Sequence, residues 1–331
     1  MVTGGAGFIG SNFIRYWLKK YPDDRVVNLD ILTYAGNLEN LRDIENNPNY
    51  KFVKGDICDE DLVGGLVKDM DLIVHFAAES HVDRSVMSAK DFIRTNVEGT
   101  RVLLEAAKQN GRIRFHHIST DEVFGHLGPK DPAFNESTPL APRSPYSAAK
   151  AGAEHLARAY FHTHKLPITI SNCSNNYGPY QFPEKLIPLF VTNLLEDKKV
   201  PVYGAGRNIR DWIHVDDHNR GVDMIIKKGR IGETYCLGGD CEVSNLEITR
   251  MILRLMDKDE SMIEYVKDRP GHDLRYAIDF SKIKREFGWE PQIGFDEGLK
   301  NTIKWYRENK EWWQRIKSGA YQEYYNKQYG K

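Results

Sequence analysis

The sequence predicts an α/β protein: a doubly wound parallel sheet, with a smaller carboxyl-terminal α/β region that binds substrate. Two observations carry this expectation. Short β-rich runs alternate with helical stretches through the first half, which implies right-handed βαβ units covered on both faces. A glycine triplet stands between the first of these runs and the first helical stretch, at the rim where such a sheet receives a ligand.

The expected strands are short and mostly rich in Val, Ile and Phe: Arg25–Leu29, Tyr50–Val53, Asp71–Phe76, Arg114–Ile118 and Ile168–Asn172. Helical patterns fall between them at about 10–20, 37–46, 60–69, 90–110 and 146–164. The stretch from Ile93 to Asn110 is apolar on more than one face, which suits a helix packed against both the sheet and a partner subunit. Only Met1 and Val2 precede Thr3, fewer apolar residues than a buried first strand usually brings. The sequence leaves open whether this end is native or trimmed. After Asn172 the segment Asn175–Lys185 is rich in turn formers and reads as a loop into a second region. That region holds short strands near 200–203 and 234–237, with helices near 184–197, 216–228, 245–256 and 281–287. The division expected is a nucleotide-binding domain at 1–174, including the helix at 146–164, and a substrate-binding region at 175–331 with some segments returning to the main sheet. The aromatic stripe at its end (Trp305, Trp312, Trp313, Tyr321, Tyr324, Tyr325) reads as packing surface.

Composition excludes several function classes. The chain has 331 residues, 40% hydrophobic and 28% charged, with a net charge of −1. That balance provides no field for holding nucleic acid or an anionic membrane. No apolar run approaches the roughly 20 residues of a membrane span, and no signal peptide is read. The four cysteines (Cys58, Cys173, Cys236, Cys241) show no metal or redox spacing. Reduced thiols in a cytoplasmic protein are the expectation. His81, His116 and His117 lack the accompanying ligands of a metal site, so structural roles are expected and no metal.

The triplet itself places Gly4, Gly7 and Gly10 in Gly4-Gly5-Ala6-Gly7-Phe8-Ile9-Gly10. The chain must turn sharply, admit a pyrophosphate and pack a helix closely on the sheet, and each task favours a residue without Cβ. Phosphates would sit on the free N–H groups at the helix start. Asp30 ends the second strand 20 residues after Gly10, where a carboxylate accepts from both ribose hydroxyls and repels a 2′-phosphate. That favours NAD over NADP on a Rossmann-like sheet. Asp56-Ile57 after the third strand fits the adenine amino group, and Ala77-Ala78 after the fourth lets the cofactor lie against backbone.

The run Ser119-Thr120-Asp121-Glu122-Val123 leaves the fifth strand at its carboxyl end. Tyr146 and Lys150 are four apart on one helical face, behind the cap and first turn Ser144-Pro145. An ammonium beside the phenol is expected to lower its pKa, making a phenolate base, and the lysine also suits the nicotinamide ribose. Two adjacent carboxylates add what oxidation alone does not require: a base for a second proton and an acid for a departing hydroxyl.

With these motifs the chain resembles the extended short-chain dehydrogenase/reductases, the NAD-dependent epimerase/dehydratase family, and among them the dTDP-glucose 4,6-dehydratases. The resemblance runs from Val2 to about Tyr306, through Thr3–Gly10, Ala77–Ser85, Ser119–Val123, Tyr146–Lys150, Asn172–Pro188, Arg210–Trp212 and Asp268–Asp273. The Thr-Asp-Glu triplet discriminates best. Related epimerases commonly lack the carboxylate pair, and GDP-mannose dehydratases and UDP-glucuronate decarboxylases typically carry Thr-Ser-Glu. Phe124, where the family commonly has Tyr, is a minor departure.

The resemblance implies that Tyr146 deprotonates the glucose 4-hydroxyl, Thr120 bonds the same oxygen, Glu122 removes the C5 proton and Asp121 protonates the departing 6-hydroxyl. It implies NAD contacts from Phe8, Ile9, Ile57 and Asn176 besides the residues above. It places Ser80, Thr120, Asn175, Lys185, Leu186, Pro201, Tyr203, Arg210, Asn245, Arg269 and His272 near the nucleotide sugar, with Arg210 and Arg269 as pyrophosphate forks. It implies a homodimer packed through the helices near 90–110 and 146–164. A UDP-glucose dehydratase, a nucleotide-sugar 4-epimerase and a non-catalytic NAD-binding sensor are the alternatives. The residues leave the thymidine-or-uridine choice open, because one methyl group is worth only about 1–3 kcal/mol in a pocket.

Overall fold

Seven parallel strands form the central layer in a computed structural model that describes residues 1–268 and 271–318. In chain order they are β1 (Val2–Thr3), β2 (Val26–Asp30), β3 (Tyr50–Lys54), β4 (Leu72–His75), β5 (Arg114–Thr120) and β6 (Ile168–Cys173), with the seventh contributed from far downstream. The later strands are β7 (Asn175–Tyr177), β8 (Val200–Tyr203), β9 (Ile209–His214), β10 (Thr234–Leu237), β11 (Glu242–Ser244) and β12 (Ile263–Val266). The main sheet runs β10-β6-β5-β4-β1-β2-β3, and each of its neighbouring pairs is parallel. Strand order reverses at β1 and β4, so the crevice outside their carboxyl ends is the switch point where such sheets bind ligands. A three-stranded sheet β11-β9-β7 and a parallel pair β12-β8 belong to the second region.

Central strands are buried on both faces because helices cover both. Phe115 and Ile170 point to one side with Leu103 and Ala157, while Ile118 and Val74 point to the other with Val222 and Ile225. Both sets are apolar, which is why the strands read as near-continuous hydrophobic runs. The helix expected at 146–164 runs over Pro145–His164 and begins as its sequence requires. Ser144 Oγ accepts from Ser147 N at 3.1 Å and Ser147 Oγ accepts from Ser144 N at 3.0 Å, with Pro145 in the first turn.

Three expectations are corrected. The helix expected at 37–46 is only a 3₁₀ turn at Leu38–Leu41, and i→i−3 bonds continue from Ile44 to Leu41 and from Asn47 to Ile44. Local polar groups divert the backbone: Asn37 caps the turn at 3.0 Å, and the Asn40 carbonyl accepts from the Arg15 guanidinium. The segment 175–185, read as loop throughout, contains β7, whose extended backbone is satisfied by β9 rather than by its sequence neighbours. The helix at 90–110 is also interrupted, with a π-helical stretch over Ile93–Gly99 before Thr100–Gln109.

The carboxyl-terminal aromatic stripe packs. Trp312 and Trp313 are buried, Trp305 and Trp312 both lie against Tyr180, and Trp312 Nε1 donates to Asn40 Oδ1 at 2.9 Å. Tyr321, Tyr324 and Tyr325 lie outside the described residues.

Candidate active site

The switch-point crevice is a cleft of about 480 Å³ that continues into a second lobe of about 170 Å³. The first lobe is walled by the glycine turn, by Asp30, Asp56, Ile57, Ala77 and Ala78, and by Tyr146 and Lys150. Gly4 has φ +70, and a Cβ there would lie 2.6 Å from Ala77 Cα; a Cβ at Gly10 would overlap the Gly4 carbonyl oxygen. Only glycine allows this closeness of turn, helix and sheet. The Phe8–Lys20 helix that follows has no side-chain cap, so its first N–H groups open toward the cleft.

Asp30 is held in place by Ala6 N at 2.9 Å and Leu32 N at 2.8 Å, one on each carboxylate oxygen. Burial pushes its pKa up, against these two bonds. Asp56 accepts from Cys58 N at 2.9 Å and pairs with Arg94 at 2.6 Å, while Asp59 rather than Asp56 caps the next helix. A turn without Cβ atoms, an uncapped helix start and a fixed carboxylate at the end of β2 together fit a dinucleotide.

Thr120, Asp121, Glu122, Tyr146 and Lys150 all reach the same lobe. Thr120 ends β5 and caps a 3₁₀ turn over Asp121–Phe124, accepting from Glu122 N at 3.3 Å. The two carboxylates therefore sit in a first helical turn, where the dipole favours them, and also face the cleft. Glu122 lines both lobes and so stands at their junction. Asp121 is buried; Oδ1 accepts from Thr120 Oγ1 at 3.2 Å, and Oδ2 has no hydrogen-bond partner. Burial raises its pKa well above the carboxylate range, helped by the charges of Glu122 and Asp211. Burial of this kind favours the protonated form of the carboxyl group, as an acid requires.

Tyr146 departs from expectation. Burial pushes the phenol well up rather than down, and Glu122, Cys173 and Asp121 add to the effect against a hydrogen bond from Thr120. The Lys150 ammonium is anchored elsewhere, donating to the Ile118 carbonyl at 2.6 Å. Burial lowers Lys150 to about 8, with Cys173 and Glu154 opposing.

The second lobe collects the residues expected at the nucleotide sugar: Asn175, Lys185, Leu186, Pro201, Tyr203, Arg210, Asn245 and His272. Ser80 lies in the first lobe, and its carbonyl accepts from Lys185 Nζ at 2.9 Å. Asn176 lines both lobes. Arg210 is buried, stacks 4.3 Å over the Tyr276 ring and donates to the Asp273 carbonyl at 3.0 Å. Arg269 lies outside the described residues. Of the three histidines, His116 bonds Thr169 and Ser171 inside the sheet and His81 stands 4.0 Å from Glu184, while both ring nitrogens of His117 are buried without a partner.

Sequence reasoning missed Glu184, Thr95 and Tyr276. Glu184 lines both lobes, bonds Arg84 Nε at 3.2 Å, and burial lifts it to about 7 against Lys185 and Arg84. Its only signal was position, directly before Lys185 in a turn-rich segment. Thr95 reaches the first lobe from the π-helical stretch, and Tyr276 reaches the second from an irregular segment that no periodicity marks.

Comparison with known proteins places this geometry. The family model described as GDP-mannose 4,6 dehydratase matches residues 1–302. The dTDP-glucose 4,6-dehydratase of Escherichia coli is 50% identical over 351 residues, covering 97% of each chain. The crystal structure of DesIV, a dTDP-glucose 4,6-dehydratase from Streptomyces venezuelae, was determined with NAD bound. It is 51% identical, covers 95% of this chain and 98% of its own, and superposes with a TM-score of 0.93. A UDP-glucose 4-epimerase from Thermotoga maritima shares the fold at 29% identity, 93% and 98% coverage and a TM-score of 0.86. Among nucleotide-sugar enzymes of this fold, the chain belongs to the dTDP-glucose 4,6-dehydratase family.

Proposed function

We propose that this chain converts dTDP-glucose to the 4-keto-6-deoxy product by oxidation at C4, loss of water across C5 and C6, and reduction at C6. One observation carries the reading: a buried Asp121 beside Glu122 at the lobe junction, on the turn that also presents Thr120 to Tyr146. When bound, NAD supplies the hydride acceptor at C4, the hydride donor at C6, and a positive charge beside the phenol. Gly4, Gly7, Phe8, Ile9, Gly10, Asp30, Asp56, Ile57, Ala77, Ala78 and Asn176 would hold it, with Lys150 at the ribose.

Each side chain then has a separate proton to move. Tyr146 takes the proton of the 4-hydroxyl, whose oxygen Thr120 also bonds. The resulting ketone acidifies C5, and Glu122 removes that proton. Asp121, whose burial favours the acid form, gives its proton to the departing 6-hydroxyl, so the leaving group is water rather than hydroxide; as C6 is reduced, the proton held by Glu122 returns to C5. The substrate's nucleotide extends into the second lobe, where Arg210 supplies a guanidinium fork for phosphate and Lys185 a point charge.

A 4-epimerase needs Tyr146 and Lys150 but neither Asp121 nor Glu122. Incubation with dTDP-glucose should give a 4-keto product, read by its absorbance in alkali. UDP-glucose, which lacks the base methyl and adds a ribose 2′-hydroxyl, should turn over more slowly, by roughly 10- to 200-fold in kcat/KM. A galactose product, or faster turnover of UDP-glucose, contradicts the reading.

We further infer that the chain works as a homodimer through the faces near 90–110 and 146–164. Val86, Met87 and Ile93 support this, being 47%, 47% and 56% exposed beside the Pro145–His164 helix. Sedimentation at micromolar concentration should show a dimer, and a monomer contradicts it. The cytoplasm is the proposed location, supported by four unpaired cysteines and by the absence of any described helix long and apolar enough to cross a membrane. Recovery of the native protein in a membrane or extracellular fraction contradicts that placement.

A further inference from the structure

Glu154 lies one turn beyond Lys150 on the Pro145–His164 helix, on the face that also carries Tyr146. Its side chain is fully buried, and both oxygens are used. Oε1 accepts from Arg158 Nη2 at 2.6 Å and Nε at 3.2 Å; Oε2 accepts from Asn172 Nδ2 at 3.0 Å. Asn172, buried on β6, donates the same amide nitrogen to the Thr120 carbonyl at 3.2 Å. Both amide hydrogens are thereby committed, and Oδ1 has no partner. Turning the amide over would set its oxygen against two acceptors, so the carboxylate fixes which way Asn172 points. Asn172 in turn holds β5 where the strand ends and the Thr120–Glu122 turn begins.

A buried carboxylate is costly, and an apolar side chain of similar volume would fill the same space without the desolvation. Its presence here needs a reason beyond packing. We propose that Glu154, resting on the dehydratase reading above, is a positioning residue for the reaction: it locks Asn172 onto the Thr120 carbonyl and brings an Arg158-paired carboxylate to the helix one turn along from Lys150.

The charge matters because of what else surrounds that ammonium. Cys173 approaches from β6, His117 from β5 and His75 from β4, while Tyr146 and Glu154 share the helix. Burial holds Cys173 up at about 12, lowers His75 to about 3, and lowers His117 well below the usual imidazole range, so all three are neutral near pH 7. The Glu154 carboxylate, shared with the Arg158 guanidinium at 2.6 Å, is left with Cys173 to oppose the lowering that burial imposes on Lys150.

Two variants separate the two effects. Glu154→Gln keeps an acceptor for Asn172 and removes the charge. Its kcat at about pH 6 should stay near that of the parent, while the alkaline limb of the kcat profile moves to lower pH as Lys150, already lowered to about 8, loses its proton sooner. Glu154→Leu removes both the acceptor and the charge. Its kcat should fall at every pH by about 10- to 100-fold, the scale of a ~1 Å misplacement, with KM, NAD retained on desalting and Tm close to the parent. The Gln profile does not depend on how well the Leu variant folds. An alkaline limb that does not move in Glu154→Gln overturns the charge role. A Leu variant with parental kcat, or one whose loss follows a drop in Tm, overturns the positioning role.

Discussion

Tyr146→Phe is expected to lower kcat by about 10²- to 10⁴-fold, the range for removing a positioned general base. NAD binding should survive, because the glycine turn, Asp30 and Lys150 are untouched. The loss should appear before any other step: on mixing with dTDP-glucose, no reduced cofactor should accumulate. Burial raises the Tyr146 phenol, and the nearby Glu122 and Asp121 add to the rise. The parent enzyme should therefore form its phenolate only when cofactor is bound. A phenolate absorbance in the NAD-free protein at neutral pH contradicts this. Reduced cofactor formed by Tyr146→Phe at the parental rate would remove the phenol from its role.

Glu122→Gln should separate the reaction into halves. The variant retains Tyr146 and Lys150, so it should oxidise C4 and accumulate reduced cofactor, but its overall kcat should fall by about 10²- to 10⁴-fold for want of the C5 base. Position supports a role distinct from that of its neighbour. Glu122 stands where the two lobes join, while Asp121 is buried in the first lobe against Asp211. Asp121 must hold a proton to act as acid, and its pKa is raised. Activity that depends on it is thus lost as pH rises through that raised value. Full dehydration by Glu122→Gln would exclude the assignment.

The parts of the site legible in sequence are those where spacing along the chain is itself the geometry. The glycines at 4, 7 and 10 can only form a turn and a close-packed helix start, and Tyr146 and Lys150 share a face because they are four apart. Asp30 was legible because a strand of known length ends there. What was hidden depends on distant partners or on burial. β7 lies in a run of turn formers and exists because β9 offers its hydrogen bonds. The 37–46 pattern has helical periodicity, yet Arg15 takes the Asn40 carbonyl that an α-helix would give to Ile44 N, which bonds Leu41 instead. The direction of the Tyr146 shift follows from depth of burial and from where Lys150 points, and neither is written in a four-residue spacing. Glu184 and Asn172 gain their meaning from residues 100 and 18 positions away.

The central claim is that one hydride leaves C4 and returns to C6 of the same sugar while Asp121 and Glu122 expel water. dTDP-glucose carrying deuterium at C4 tests it directly, with the product analysed by mass spectrometry and NMR. The expected product is a 4-keto-6-deoxy sugar with the deuterium in its C6 methyl group. Deuterium retained on C4 of a galactose product would contradict it.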